Sequence, residues 1–309
     1  MRPLSKKAYI AAVSGLATLA AAVTLVAPGL SQPAPRPTAK PAAQMKFGVY
    51  DPEGVFAGDK SVGIEHVYIP WRDSDPTSLA KADAYAREHR RDLMVTVEPW
   101  SWSPAANVPS EQLLHGILAG AYDGPARSVC SEIGKLGRPV TIRWAQEMDL
   151  PNGHFPWSSW APSDYAAAYR HFVSQCRIDA PQARFMWSPR GEERLAAYYP
   201  GDAYVDEIGL TVLDLQQYDL DQYGHARSFK EALGPAYKRV VGFGKPIVVA
   251  ELGFQGDSAF MEQWLQDSRA PGGEFPQLVA VVYFNATDPH AWPEPYGRPD
   301  WRLQRGFVN

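Results

Sequence analysis

Two stretches of the chain lead a short apolar run into a glutamate: Val140 to Glu147 (VTIRWAQE) and Pro246 to Glu251 (PIVVAE). Read as strands with alternating side chains, Thr141, Arg143, Ala145 and Glu147 share one face, and Ile247, Val249 and Glu251 share another. With both faces turned into one opening, Glu147 and Glu251 converge above Arg143. An interior arginine needs a carboxylate beside it, here Glu98 or Glu251. Two carboxylates across an opening suit the hydrolysis of a glycosidic bond, one protonated to donate and the other ionised to attack. A neighbouring arginine lowers the pKa of the carboxyl it touches, and apolar surroundings raise that of the other, so one site can hold both roles. Most of the 34 Asp and Glu are solvated surface charges; position at a strand end is what singles these two out.

The aromatic residues, 10 Trp, 15 Tyr and 12 Phe, supply walls for such an opening. Trp100, Trp102, Trp157, Trp160 and Trp292 follow the ends of apolar runs, where an indole stacks on a sugar face. Trp144 and Trp187 lie within runs and read as core or as walls close to the chemistry. Other chemistries lack their residues. The seven histidines show no HExxH spacing and the two cysteines no Cys-x-x-Cys, so neither a catalytic metal nor a cofactor is implied. Gly242-Phe243-Gly244-Lys245 lacks the spacing and the hydroxyl of a phosphate loop, and no G-x-S-x-G elbow is present. His154 reads either as a loop residue that touches substrate or as a plain surface one, and His66 as a structural one. A net charge of −4 argues against nucleic acid as a partner.

The elements that position these residues follow from period. Eight short runs rich in β-branched and aromatic residues begin at Met45, Ile64, Leu93, Val140, Arg184, Val205, Pro246 and Val279. Amphipathic stretches at Leu79 to Arg91, Gln112 to Leu118, Ala126 to Leu136, Ser163 to Ile178, Ser228 to Val241 and Ser258 to Gln266 alternate with them, Ser110 and Ser163 marking two helix starts. This order and size is that of a (β/α)8 TIM barrel of class α/β, a single catalytic domain with its chemistry at the carboxyl ends of the strands. An open doubly wound sheet would carry a glycine-rich turn after its first strand, which Val49 to Val55 (VYDPEGV) is not.

Ahead of the barrel, residues 1–31 read as a signal peptide or signal anchor, with Arg2, Lys6 and Lys7 before twenty uncharged residues. Residues 32–43 read as a Pro-rich linker, and 44–309 as the barrel. The expectation is an exported chain, periplasmic or extracellular, a monomer that touches a membrane only through the amino-terminal segment if that is retained. Cys130 and Cys176 fall in consecutive helices; they are either a disulfide or two small buried hydrophobes.

Arg143 to Asp149 (RWAQEMD), with Trp157, Trp160 and SDYAAAYRHF from Ser163, resembles the acid/base region of the family 26 glycoside hydrolases, the β-mannanase family. The resemblance continues through ARFMWSP (Ala183), YYPGDAYVDEIGL (Tyr198), KPIVVAELG (Lys245) and VVYFN with PDWRL (Val281, Pro299), from Phe47 to about Leu303. It implies a retaining barrel hydrolase with Glu147 as acid/base and Glu251 as nucleophile, and a β-linked polysaccharide as partner. Mannan comes first, then a β-1,4- or mixed-linkage glucan or an exopolysaccharide of the cell envelope. Arg143, Gln146, Glu98, Trp100, Trp157, Trp160, Trp187, Tyr283 and Trp292 are the expected substrate-binding residues. Gln146 stands where the family has His, and Leu213 where it has the Tyr that orients the nucleophile. Either Tyr218, Tyr223 or Tyr283 replaces that Tyr, or the nucleophile is less well held. The two departures also admit a barrel that binds polysaccharide without cutting it.

Overall fold

The computed structural model describes residues 45–150 and 154–303. The expected export segment (1–31) and the Pro-rich spacer (32–43) lie outside the described residues. All eight apolar runs are strands: β1 (Lys46–Tyr50), β2 (Val62–Pro70), β3 (Asp92–Glu98), β4 (Thr141–Trp144), β5 (Arg184–Trp187), β6 (Glu207–Leu215), β7 (Ile247–Gln255) and β8 (Leu278–Phe284). They pair in sequence order, each parallel to the next, and β8 closes on β1. The helices are α1 (Ser78–Glu88), α2 (Ser110–Leu118), α3 (Asp123–Lys135), α4 (Pro162–Asp179), α5 (Gln216–Tyr223), α6 (Phe229–Val240) and α7 (Ser258–Arg269). The architecture is a (β/α)8 barrel in one domain.

Six helices lie where apolar period places them; α5 is the addition. Its segment QQYDLDQY has no apolar stripe, and it is held at its end by Gly224 in the left-handed conformation. Turns follow β1, and two short 3-10 turns (Leu195–Tyr198 and Asp202–Tyr204) follow β5 in place of longer helices. The helix starts differ in detail. Ser110 opens α2, but its hydroxyl bonds the Pro156 carbonyl, and α4 begins at Pro162, whose missing N–H costs nothing in a first turn. Cys130 of α3 and Cys176 of α4 form a disulfide, with Cα atoms 5.2 Å apart.

Inside the barrel, Met94, Met186, Val248, Ala250, Ala280 and Val282 contact one another. Side chains from β3, β5, β7 and β8 can meet only in the interior. Gly209 of β6 leaves room for them, since a Cβ there would stand 2.6 Å from the Met186 sulfur. Ile247 and Val249 belong instead to the larger core between strands and helices. This corrects the simple alternation, which grouped them with Glu251. The register of β7 slips against both neighbours: Leu210 pairs with Val249 but Thr211 with Glu251. The extra residue is a β-bulge, which reverses the facing of the residues beyond it and turns Glu251 inward.

Candidate active site

The second correction to alternation falls on β4, which ends at Trp144, three residues before Glu147. Beyond it Ala145 and Glu147 take left-handed φ of 47° and 58°, which costs about 1–3 kcal/mol at each non-glycine residue. The surrounding groups fix this turn. The Tyr165 hydroxyl donates to the Ala145 carbonyl (3.1 Å) and the Trp157 indole N–H to the Gln146 carbonyl (2.6 Å). The Glu147 N–H donates to the Ser188 carbonyl at 2.7 Å. Two residues on, the buried Asp149 carboxylate accepts the backbone N–H groups of Arg190, Gly191 and Glu192 at 2.6, 3.0 and 2.8 Å. The loop after β4 is thereby tied to the loop after β5, and Glu147 is presented to the cleft.

Glu251 reaches the same cleft from β7. Its partner is Arg143, wholly buried below it, whose Nη1 donates to the carboxylate while its Nε donates to the Ser188 hydroxyl at 2.8 Å. Ser188 therefore serves both glutamates, holding Glu147 through its carbonyl and Arg143 through its hydroxyl. Burial pushes the Glu251 carboxyl above the ordinary glutamate range; Arg143 opposes the rise and the charge of Glu147 adds to it. His66, below the site, shares a 2.7 Å hydrogen bond with Thr96. Burial first, then Arg143, lowers its pKa well below the ordinary value, so it is neutral and structural.

Leu213 stands on the wall near Gly253, with which it pairs. None of the three tyrosines expected to compensate for it meets Glu251. The Tyr283 hydroxyl donates to the Trp301 carbonyl at 2.6 Å. Tyr218 packs edge-on against Trp292 and Tyr296, and Tyr223 lies under Arg227. The tyrosine beside Glu251 is Tyr68 of β2. Its hydroxyl is buried, and its pKa is raised well above the ordinary value by burial and then by the charge of Glu251. The sequence signal for it was present: in β2, His66, Tyr68 and Pro70 alternate onto one face, and His66 faces inward.

The cleft has a volume of about 1180 Å³, and Glu98, Trp100, Gln146, Glu147, Glu251 and Trp292 all line it. Glu98 is not the partner of Arg143. Its carboxylate accepts from the Gln146 amide (2.8 Å) and from the indoles of Trp100 (3.0 Å) and Trp102 (2.6 Å), fixing three cleft residues at once. Trp292, with its N–H on Asp288 at 3.1 Å, lines the cleft as well.

Five residues expected to touch substrate do not line the cleft. Trp157 is buried, stacked on Phe155 and bonded to the turn before Glu147. Trp160 bonds Ser110 at the start of α2. Trp187 points outward from β5 between Tyr199 and Phe243, and Tyr283 is buried beside Phe254. Arg143 also lies beneath the cleft surface rather than on it. Sequence reasoning missed Tyr50, Tyr68 and Asp288 on the lining, and the bridging role of Ser188. His154 stacks on His290 with ring centroids 4.2 Å apart, and both line the cleft. Among the described residues no group of three or more His, Cys, Asp or Glu is arranged to hold a metal ion.

No family model matches the chain. Over 249 residues, 75% of the chain, it is 22% identical to endoglucanase H of Acetivibrio thermocellus, of which the match covers 26%. Over 120 residues, 37% of the chain, it is 26% identical to the β-1,3-xylanase TXYA of a Vibrio species, covering 25% of that protein. The chain thus spans about a quarter of the length of these curated relatives. Among solved structures it is similar to GH26C from a Muricauda species (TM-score 0.60, 14% identity, 78% of this chain and 79% of that one). It is also similar to a GH26 β-mannanase from Bacteroides ovatus (0.58, 16%, 85% and 86%) and to a modular endo-β-1,4-mannanase from Cellulomonas fimi (0.61, 15%, 86% and 73%). At these identities the likeness establishes the barrel.

Proposed function

We propose that the chain is a retaining glycoside hydrolase acting on a β-linked polysaccharide, with Glu251 as nucleophile and Glu147 as acid/base. The observation that carries the reading is that Glu147, in the turn after β4, and Glu251, at the bulge of β7, share one aromatic-walled cleft, and only Glu251 is paired with a buried arginine. Two interacting carboxyls titrate as a unit. Of the two glutamates Arg143 touches Glu251, so it favours negative charge on the carboxylate that attacks. Glu251 then attacks the anomeric carbon while Glu147 protonates the departing oxygen, giving a glycosyl ester on Glu251. Glu147, now ionised, takes a proton from water, which attacks the same carbon and releases Glu251. Trp100, Trp102 and Trp292 offer faces on which pyranose rings stack.

Mannan or glucomannan is the first substrate proposed, because two of the similar solved structures are named mannanases. A glucan follows from the endoglucanase. The chain is proposed to act as a monomer after export, periplasmic or extracellular; the Cys130–Cys176 disulfide supports an oxidising compartment. The test is reducing-end release by the full chain from mannan, glucomannan, mixed-linkage glucan and cellulose, beside Glu147→Ala and Glu251→Ala, with the anomer first formed read by NMR. Cleavage with retention, abolished by both substitutions, is expected. Inversion refutes the double displacement, and binding without cleavage of any polymer replaces a hydrolase with a binding barrel.

A further inference from the structure

Three carboxylates of the cleft are already engaged. Glu98 accepts from Gln146 and two indoles, Glu251 from Arg143, and Asp288 from Trp292, Trp301 and the His290 N–H. The cations on the opposite flank are not all engaged in the same way. Arg227 is closed off, with its guanidinium on Asp214 (2.9 Å) and Asp219 (2.8 Å). Arg190 and Arg239 line the cleft as well, and each donates to a backbone carbonyl only: Arg190 Nη1 to Thr211 (3.2 Å) and Arg239 Nη1 to Gly191 (2.8 Å). Among the described residues no carboxylate lies within ion-pair distance of Arg190. The one near Arg239 is Glu193, at 3.9 Å and 88% exposed, too distant and too well solvated to neutralise it. Glu192 also lines this flank, exposed, and forms an ion pair with neither arginine.

The two arginines are held as a unit. Gly191 has φ 112°, and a Cβ there would stand 2.6 Å from that of Ala236 in α6. Only a glycine lets the loop press onto the helix that carries Arg239. The Gly191 N–H is fixed by Asp149 and its carbonyl by Arg239. Arg190 precedes it, bonded to Thr211, which is the β6 partner of Glu251. A guanidinium has five donors in a planar fork that matches a carboxylate. One carbonyl bond leaves most donors of that fork, at each of these two cleft-lining arginines, without an acceptor among the described residues.

We propose that Arg190 and Arg239 form a subsite for a carboxylate on the substrate, so that the glycan taken here carries hexuronic acid or a comparable acidic unit on the β5–β6 flank. This rests on the reading of the cleft as a glycan site and narrows its substrate class.

The test is calorimetric titration of the full-length Glu251→Gln protein, which keeps the cleft but lacks the nucleophile, with β-1,4-linked oligomannuronate hexamer and with mannohexaose. The acidic hexamer is expected to bind roughly tenfold tighter or more, with the advantage shrinking as salt rises. It should vanish in Arg190→Gln/Arg239→Gln and survive in part in Arg190→Lys/Arg239→Lys, which keeps the charge and serves as the folding control. Equal or tighter binding of mannohexaose, binding of neither hexamer, or an acidic preference that survives the glutamine substitutions overturns the proposal. Arginine-dependent binding by a wild-type chain that cleaves no polymer supports the subsite and refutes the hydrolase. Cleavage of neutral mannan without acidic preference does the reverse.

Discussion

Trp157→Phe separates two roles that an indole beside an active site can play. The ring stacks on Phe155 at a centroid distance of 4.8 Å, a contact phenylalanine keeps, while the 2.6 Å hydrogen bond from Nε1 to the Gln146 carbonyl is lost. That carbonyl lies between two left-handed residues, Ala145 and Glu147, each costing about 1–3 kcal/mol to hold. Leaving a buried acceptor without its donor costs a further 1–3 kcal/mol or so. The relaxed alternative is a turn in which the peptide rotates and carries Glu147 away from the leaving oxygen. If the lost bond appears fully in the transition state, kcat falls by roughly five- to 150-fold, since about 1.4 kcal/mol is a factor of ten. The ring itself does not line the cleft, so KM stays near the wild-type value. The assay is steady-state kinetics on the cleaved polymer, beside urea unfolding. A rise in KM at unchanged kcat would mean that the indole contacts sugar after all, and that its hydrogen bond does not hold the turn.

Three further outcomes rest on other named contacts. Arg143→Met removes the largest of the influences that lower the Glu251 pKa; that pKa rises further, and the acidic limb of the pH–rate profile should move upward with a lower kcat, whereas an unmoved limb would show that Arg143 does not set the charge of Glu251. Cys130→Ala/Cys176→Ala opens a loop spanning 46 positions, and the chain-entropy relation gives a loss of about 4 kcal/mol in unfolding free energy; a loss under about 1 kcal/mol would point to an ordered denatured state. Asp214, pushed up to about 8 by burial and by its hydrogen bond with Asp219, retains in the folded state a proton that the unfolded chain releases near pH 4. Its stabilising contribution is therefore complete below about pH 4 and is lost as pH rises through about 8. Asp214→Asn should flatten the fall of unfolding free energy over that window, and an unchanged slope in chemical denaturation at several pH values would count against a protonated Asp214.

The barrel was legible because each strand is a compact run of β-branched and aromatic residues with turn residues on both sides, a pattern that depends on local chemistry alone. What alternation could not carry was phase. It placed Glu251 with Ile247 and Val249, but the bulge at Ala250 and Glu251 is a property of two strand pairs, and nothing in PIVVAEL marks which residue is extra. It extended β4 to Glu147, whereas the chain leaves the sheet after Trp144 and the two left-handed residues restore the inward direction by another route. Both glutamates reach the cleft, each through an irregularity that a period of two does not describe. The tryptophans failed for a related reason. Trp157 and Trp160 follow a strand end in sequence, yet a turn of 3-10 helix at Pro156–Ser159 swings them against α2 and the Glu147 turn. An indole is as useful for its N–H in holding a carbonyl as for its face in holding a sugar.

Leu213 bears on how the charge of Glu251, the proposed nucleophile, is held. A tyrosine at that place on β6 would offer Glu251 a donor from the side; leucine offers none, and with Trp301 it packs over Gly253, where a Cβ would stand 2.9 Å from Leu213 and 2.8 Å from Trp301. That flank is apolar, and an apolar flank favours the uncharged carboxyl, in keeping with burial as the largest influence on Glu251. Opposing it are Arg143 from below and the Tyr68 hydroxyl from β2. Because the charge of Tyr68 and that of Glu251 would repel, the hydroxyl stays protonated and able to donate once a ligand draws the carboxylate toward it. The charge on Glu251 is thus supported from strands β2 and β4 rather than from the neighbouring β6. Tyr68→Phe should consequently lower kcat in this chain and move the acidic limb upward, as Arg143→Met does, while Leu213→Tyr in the same background should recover part of the loss. No effect of Tyr68→Phe on either quantity would leave Arg143 as the sole support of the charge on Glu251.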